Sequence, residues 1–122
     1  MRDERRITES LLACLEEFEK RELHLILGYG SLFAWLCEGM GYSEDQAQYR
    51  IDAMRVLRDV PEARGALEQG RLKLTHLARA QRFFRGEERR GVSYSAEENR
   101  DFLQEIEGAS LSECYRKMAE RS

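Results

Sequence analysis

The sequence predicts an all-α fold, a compact bundle of about six or seven helices with a helix-turn-helix-like centre. Three observations predict it. Pro61 is the single proline and β-branched residues are few, a composition that favours helices over a sandwich or barrel. Apolar residues recur mostly every three to five positions, the spacing of an amphipathic helix. Three Ser-x-x-Gln/Glu pairs, at Ser43, Ser95 and Ser110, have the spacing of capping boxes that open helices.

Taken in order, residues 7–27 carry Leu11, Leu12, Leu15, Phe18, Leu23 and Ile26 and read as one long amphipathic helix that Thr8 would cap. Gly28 and Gly30 break it. Ser31 opens a short second helix over 32–37, closed by Gly39 and Gly41. Phe33 and Trp35 in this helix read as core aromatics. Tyr29 and Tyr42 flank the glycine breaks and would pack over the turns. A third helix starts after Ser43, with Gln46 completing the capping box, and runs to about Asp59. It buries Ala47, Ile51, Met54 and Leu57 or Val56. Pro61 suits the first turn of a fourth helix and Gly70 its end. Residues 72–85 form a fifth, with Leu74, Leu77, Ala78 and Phe84 inward. The Ser95–Glu98 and Ser110–Glu113 pairs predict helices over 96–107 and 111–120. The stretch 86–91, Gly-Glu-Glu-Arg-Arg-Gly, is the expected mobile loop. No strand pattern, internal repeat or low-complexity linker is legible, so residues 1–122 read as a single helical domain.

Composition bounds the function. The chain has 122 residues, 42% of them hydrophobic and 35% charged, which excludes a disordered tail and suits one core-forming domain. With 20 basic and 23 acidic side chains the net charge is −3, unlike the strongly basic balance of charge-driven nucleic-acid binders. The charged N-terminus has no apolar segment of signal-peptide type, and the apolar stretch 32–37 is too short to span a bilayer. The expectation is a cytoplasmic protein without a membrane partner. Cys14, Cys37 and Cys114 are odd in number and form no C-x-x-C pair. They read as reduced thiols and small buried apolar side chains.

Catalytic and cofactor signatures are missing from the sequence. The two histidines, His24 and His76, have no partner at metal-ligand spacing. No nucleophile elbow, phosphate loop or dinucleotide fingerprint occurs. The expectation is a protein that is not an enzyme and needs no cofactor or metal. Glu16, Glu17, Glu19 and Glu22 read as a solvated face with Lys20 and Arg21.

The run from Leu27 to Glu44 is Leu-Gly-Tyr-Gly-Ser-Leu-Phe-Ala-Trp-Leu-Cys-Glu-Gly-Met-Gly-Tyr-Ser-Glu. It is followed by Arg50-Ile51, Ala53, Arg55, Pro61-Glu62, and then Leu67, Gly70, Leu72 and Leu74-Thr75. This pattern resembles the N-terminal helical region of bacterial HNH-endonuclease-family proteins, from about Arg6 to Glu120. In that family the nuclease is a separate C-terminal module. This chain lacks the grouped histidines and asparagine that an HNH site needs, Asn99 being its single asparagine. The resemblance therefore implies a helical DNA-targeting or transcription-regulating domain without the nuclease chemistry.

The residues themselves allow two further readings. Residues 31–59 form a helix-turn-helix candidate whose second helix would enter a DNA groove. Its outward candidates are Gln46, Gln48, Tyr49, Arg50 and Arg55, with side chains of the types that read base edges. Downstream, residues 64–90 hold eight basic residues against three acidic ones, a local +5 in an acidic chain. Arg71, Thr75, Arg79 and Arg82 step by four, four and three, which places them on one helical face. The expected DNA contacts are Gln48, Tyr49, Arg50 and Arg55 for bases or backbone, and Arg71, Lys73, Arg79 and Arg82 for phosphates. His76 neighbours that stripe as a further phosphate contact. The alternative is a protein-interaction or dimerisation module, in which the long first helix pairs with its twin or with a helical partner.

Overall fold

The structure is a computed structural model that describes residues 2–121, with side chains from Glu9 onward. It is all-α, and no strand occurs among the described residues. Eight helices follow in order: α1 (Arg2–Lys20), α2 (Leu23–Ile26), α3 (Leu32–Ala34), α4 (Glu44–Asp59), α5 (Ala63–Glu68), α6 (Leu74–Arg89), α7 (Ala96–Glu105) and α8 (Leu111–Arg121). A π turn, Trp35–Gly39, continues α3.

Two expectations are corrected at the N-terminal end. Helix α1 begins at Arg2, so Thr8 lies inside it and does not cap it. It ends at Lys20 and does not continue to residue 27. Glu22 adopts a left-handed φ of 53° and α2 follows as a separate single turn. The chain has to double back here, because Trp35 stacks on Phe18 with ring centroids 4.1 Å apart. A straight helix through residue 27 would carry the chain about 10 Å further from that contact, at 1.5 Å per residue. Leu25, Ile26 and Leu27 are consequently exposed, against the expected burial of Ile26.

The capping serines act as the sequence predicts. Ser43 Oγ accepts from Gln46 N, and Gln46 Oε1 accepts from Ser43 N. Ser95 with Glu98 and Ser110 with Glu113 repeat the arrangement. Ser31 caps α3 by accepting from Ala34 N. Helix α6 corrects the expected loop at 86–91. It passes through Gly86 to Arg89, and Glu87 is buried with one oxygen on Arg90. Gly91, at φ 84°, then closes the helix: Val92 N donates to Glu87 O and Gly91 N to Glu88 O. A residue in that left-handed position is normally glycine, because a Cβ there meets the backbone.

Helix α4 is the centre of the bundle. Ala47, Ile51, Ala53, Met54, Val56 and Leu57 are all buried, a wider face than the four positions that periodicity predicts. It packs on α1 and α3 on one side and on α6 on the other. Leu12, Leu15, Leu36, Leu77, Phe102 and Ile106 complete one continuous core that reaches Cys114 and Met118 of α8. Of the three thiols only Cys114 is buried; Cys37 is half-buried and Cys14 exposed. Burial pushes the Cys114 and Cys37 thiols up. Among the described residues no helix is long and apolar enough to cross a membrane.

Candidate nucleic-acid interface

The contact of α4 with α6 assembles a polar cluster that neither helix shows alone. Asp52 lies on the side of α4 turned to α6, inside an otherwise apolar run, and is fully buried. A buried carboxylate needs partners, and three atoms supply them. Gln48 Nε2 donates to Asp52 Oδ1 at 2.9 Å, one turn back on the same helix. Arg85 Nη1 donates to the same oxygen at 2.9 Å. Arg82 Nε faces Oδ2 at 3.5 Å, an ion-pair distance and not a hydrogen bond. Arg82 and Arg85 sit one turn apart on α6, so their head groups converge on one point.

Tyrosines hold the remaining guanidinium surface. The Arg82 head group lies 5.1 Å from the Tyr49 ring centre and that of Arg79 5.4 Å from it. Arg79 also lies 5.7 Å from the ring of Tyr115 on α8. Its Nε is buried without a hydrogen-bond partner. These are cation–π distances. Three arginines therefore share a patch with one internal carboxylate. Each keeps part of its surface outside, since the Arg82 and Arg85 side chains are 37% and 34% exposed and Tyr115 is 48% exposed.

The eight expected contact residues divide. Gln48 and Arg82 meet at Asp52, and Tyr49 and Arg79 join them through the Tyr49 ring. Arg50 is turned away, over the Tyr42 ring at 4.6 Å and donating to Gln46 O. Arg55 Nη2 donates to Glu19 Oε2 at 3.1 Å and ties α4 to α1. Arg71 precedes α6 and does not belong to its face; its Nε donates to Glu107 at 3.2 Å. Lys73 is exposed at the start of α6. The four-residue stripe is thus reduced to Arg79 and Arg82, joined by Arg85. His76 is buried with both ring nitrogens engaged, Nδ1 accepting from Lys73 N and Nε2 on Ala109 O. It holds the α6 start to the α7–α8 turn and is not free for a phosphate.

The residues that sequence reasoning passed over are Asp52, Arg85 and Tyr115. Asp52 was legible as a charge inside the apolar run from Ile51 to Met54. Nothing in the sequence pairs Tyr115 with α6, because α8 reaches it only through the fold. The acidic face of α1 is also corrected. Glu16 accepts from Arg64 at 2.6 Å, and Glu19 receives both Arg55 and Arg58, so these carboxylates bind α1 to α4 and α5. Among the described residues no group of three or more His, Cys, Asp or Glu is arranged to hold a metal ion.

Compared with family models, with curated proteins and with solved structures, the chain matches none of them.

Proposed function

We propose that this chain is a non-catalytic nucleic-acid-binding domain, a DNA-targeting or regulatory module that contacts its target through the outer face of α6. The reading rests on the arginine–tyrosine cluster. Arg82 and Arg85 face a single buried carboxylate, Arg79 lies beside them over the rings of Tyr49 and Tyr115, and among the described residues no carboxylate is paired with it. A surplus of guanidinium charge beside aromatic rings is the chemistry that follows a phosphate backbone and stacks on bases. Helix α4 carries little of this role. Its middle is buried, Gln48 and Arg55 are bound internally, and Glu44 and Asp45 at its start would repel phosphate. Contact in this reading is by backbone and stacking, with Lys73 at the edge.

Fluorescence anisotropy of a labelled random-sequence duplex, at low and at physiological salt, tests it. The expected result is binding that weakens steeply with salt, with the slope reduced by about one for Arg79→Gln and again by about one for Arg82→Gln. Arg82→Gln leaves Arg85 on Asp52, so the fold keeps its buried carboxylate paired. A flat titration at low salt overturns the proposal.

A second reading, a protein-interaction or dimerisation module, is favoured by a different observation. Leu25, Ile26 and Leu27 are consecutive and exposed, and Met40 is exposed as well. Runs of exposed large apolar residues are uncommon on a monomer without a binding role. Sedimentation decides it: a dimer that Ile26→Asp dissociates supports this reading, and a monomer at all concentrations removes it.

A further inference from the structure

Beneath the α2 turn lies a cavity of about 290 Å³ that the nucleic-acid reading does not use. Its walls come from α1, α2, the start of α3 and α4. They divide by chemistry. Leu32, Phe33 and Ile51 form an apolar side, and Arg55, His24 and Gln48 a polar one. His24 borders the cavity, and its Nδ1 is closed off from it without a hydrogen-bond partner. Such an atom is costly to leave unmet, and a shift of the α2 turn would open it to the cavity. Arg55 commits one nitrogen, Nη2, to Glu19, which leaves most of its five donors open. Glu19 is shared with Arg58 at 3.0 Å, so the Arg55 charge is only partly answered. The Gln48 amide nitrogen is committed to Asp52, and its carbonyl is open as an acceptor.

From this geometry we infer that the cavity is a binding site for a small carboxylate carrying an apolar body. The carboxylate meets Arg55 and His24, and the body lies against Leu32, Phe33 and Ile51. A single negative charge fits better than a dianion, because the Glu19 carboxylate lies in the same wall and repels a second charge. The size of the cavity is at the lower end for small-molecule sites, which suits a ligand of about ten non-hydrogen atoms. Entry lies on the α2 side. No residue of α2 is buried, and the turn hangs between two left-handed joints, Glu22 at φ 53° and Gly28 at φ 92°. It can therefore shift without breaking core packing.

The probe is sodium benzoate, titrated into the full chain at constant ionic strength and followed by amide chemical shifts in nuclear magnetic resonance. Expected are saturable shifts confined to His24, residues 30–33 and the Gln48 region, with a Kd on the order of 1 mM, as suits so small a ligand. Benzamide, equal in shape and uncharged, should bind at least about tenfold more weakly, the equivalent of one charged hydrogen bond. Arg55→Met should show the same loss for benzoate. His24→Leu tests the second contact in a variant that keeps the α1–α4 ion pair intact. Shifts that grow linearly without saturating would mean a cavity filled by water alone and would overturn the site. Equal binding of benzamide, or full benzoate affinity in both variants, would overturn the carboxylate assignment.

Discussion

Asp52 is the residue on which the α4–α6 contact turns. Replacing Arg82 and Arg85 together by Met should cost about 3–5 kcal/mol, because the carboxylate would stay buried with Gln48 as its one remaining partner. Asp52→Ala should cost less, about 1–2 kcal/mol, since both arginines are a third exposed and regain water. Urea denaturation of the two variants gives the order, and an inverted order would contradict the burial of Asp52. Glu98 and Glu113 bear on pH. The backbone N–H groups of Ser95 and Ser110 hold both carboxyls below the usual value of 4.5. A depressed folded pKa gives stability that is full above 4.5 and is lost as pH falls through the folded value. Wild type should therefore lose more stability than Glu98→Gln between pH 6 and about pH 3, which denaturation at the two pH values measures.

At the scale of the element, helix starts are set locally and helix ends less so. Ser43→Ala should cost about 1 kcal/mol, the usual loss of an N-cap. Gly91→Ala should cost about 1 kcal/mol as well. Beyond its own local backbone no atom lies within 4 Å of an added Cβ there, so the loss comes from the left-handed backbone alone. Thermal unfolding of the two variants checks both. The capping boxes were legible because partner and acceptor are three residues apart and need no tertiary contact. The end of α1 was not. Leu23 and Ile26 continue its apolar period, and no glycine or proline stands at Arg21–Glu22 to interrupt it. The end of α6 is hidden in the sequence for the opposite reason. Gly86 looks like a break, but tertiary burial of Glu87 and Phe84 keeps the helix going.

At the scale of the molecule, a single core runs from Leu12 of α1 to Met118 of α8, so a change in one helix is felt in the others. Phe102 of α7 is fully buried against Phe83 and Phe84 of α6, at 5.4 and 5.7 Å between ring centres. Arg121 of α8 lies over the same ring at 5.0 Å. Phe102→Ala should remove about 3–5 kcal/mol through lost burial and the cavity left behind. It should do so in one cooperative transition, followed in parallel by far-ultraviolet circular dichroism and by the fluorescence of Trp35, the chain's single tryptophan. Separate transitions would mean that α7 and α8 fold apart from the rest.

The all-α class, the helix starts at the three capping serines, most of the buried face of α4 and the concentration of positive charge in residues 64–90 are all written in the order of the residues. Each of these depends on neighbours within one or two turns of chain. Tertiary structure alone decided which charges are free. Arg55, Arg64 and Arg71 look as available in the sequence as Arg79, yet each meets a carboxylate 36 to 48 residues away. It also decided that Arg82, Arg85 and Tyr49 meet around Asp52, and that His24 faces a cavity. Charge pairing and cavity formation depend on distances between helices. A linear pattern of residues carries those distances only once the core has fixed how the helices pack.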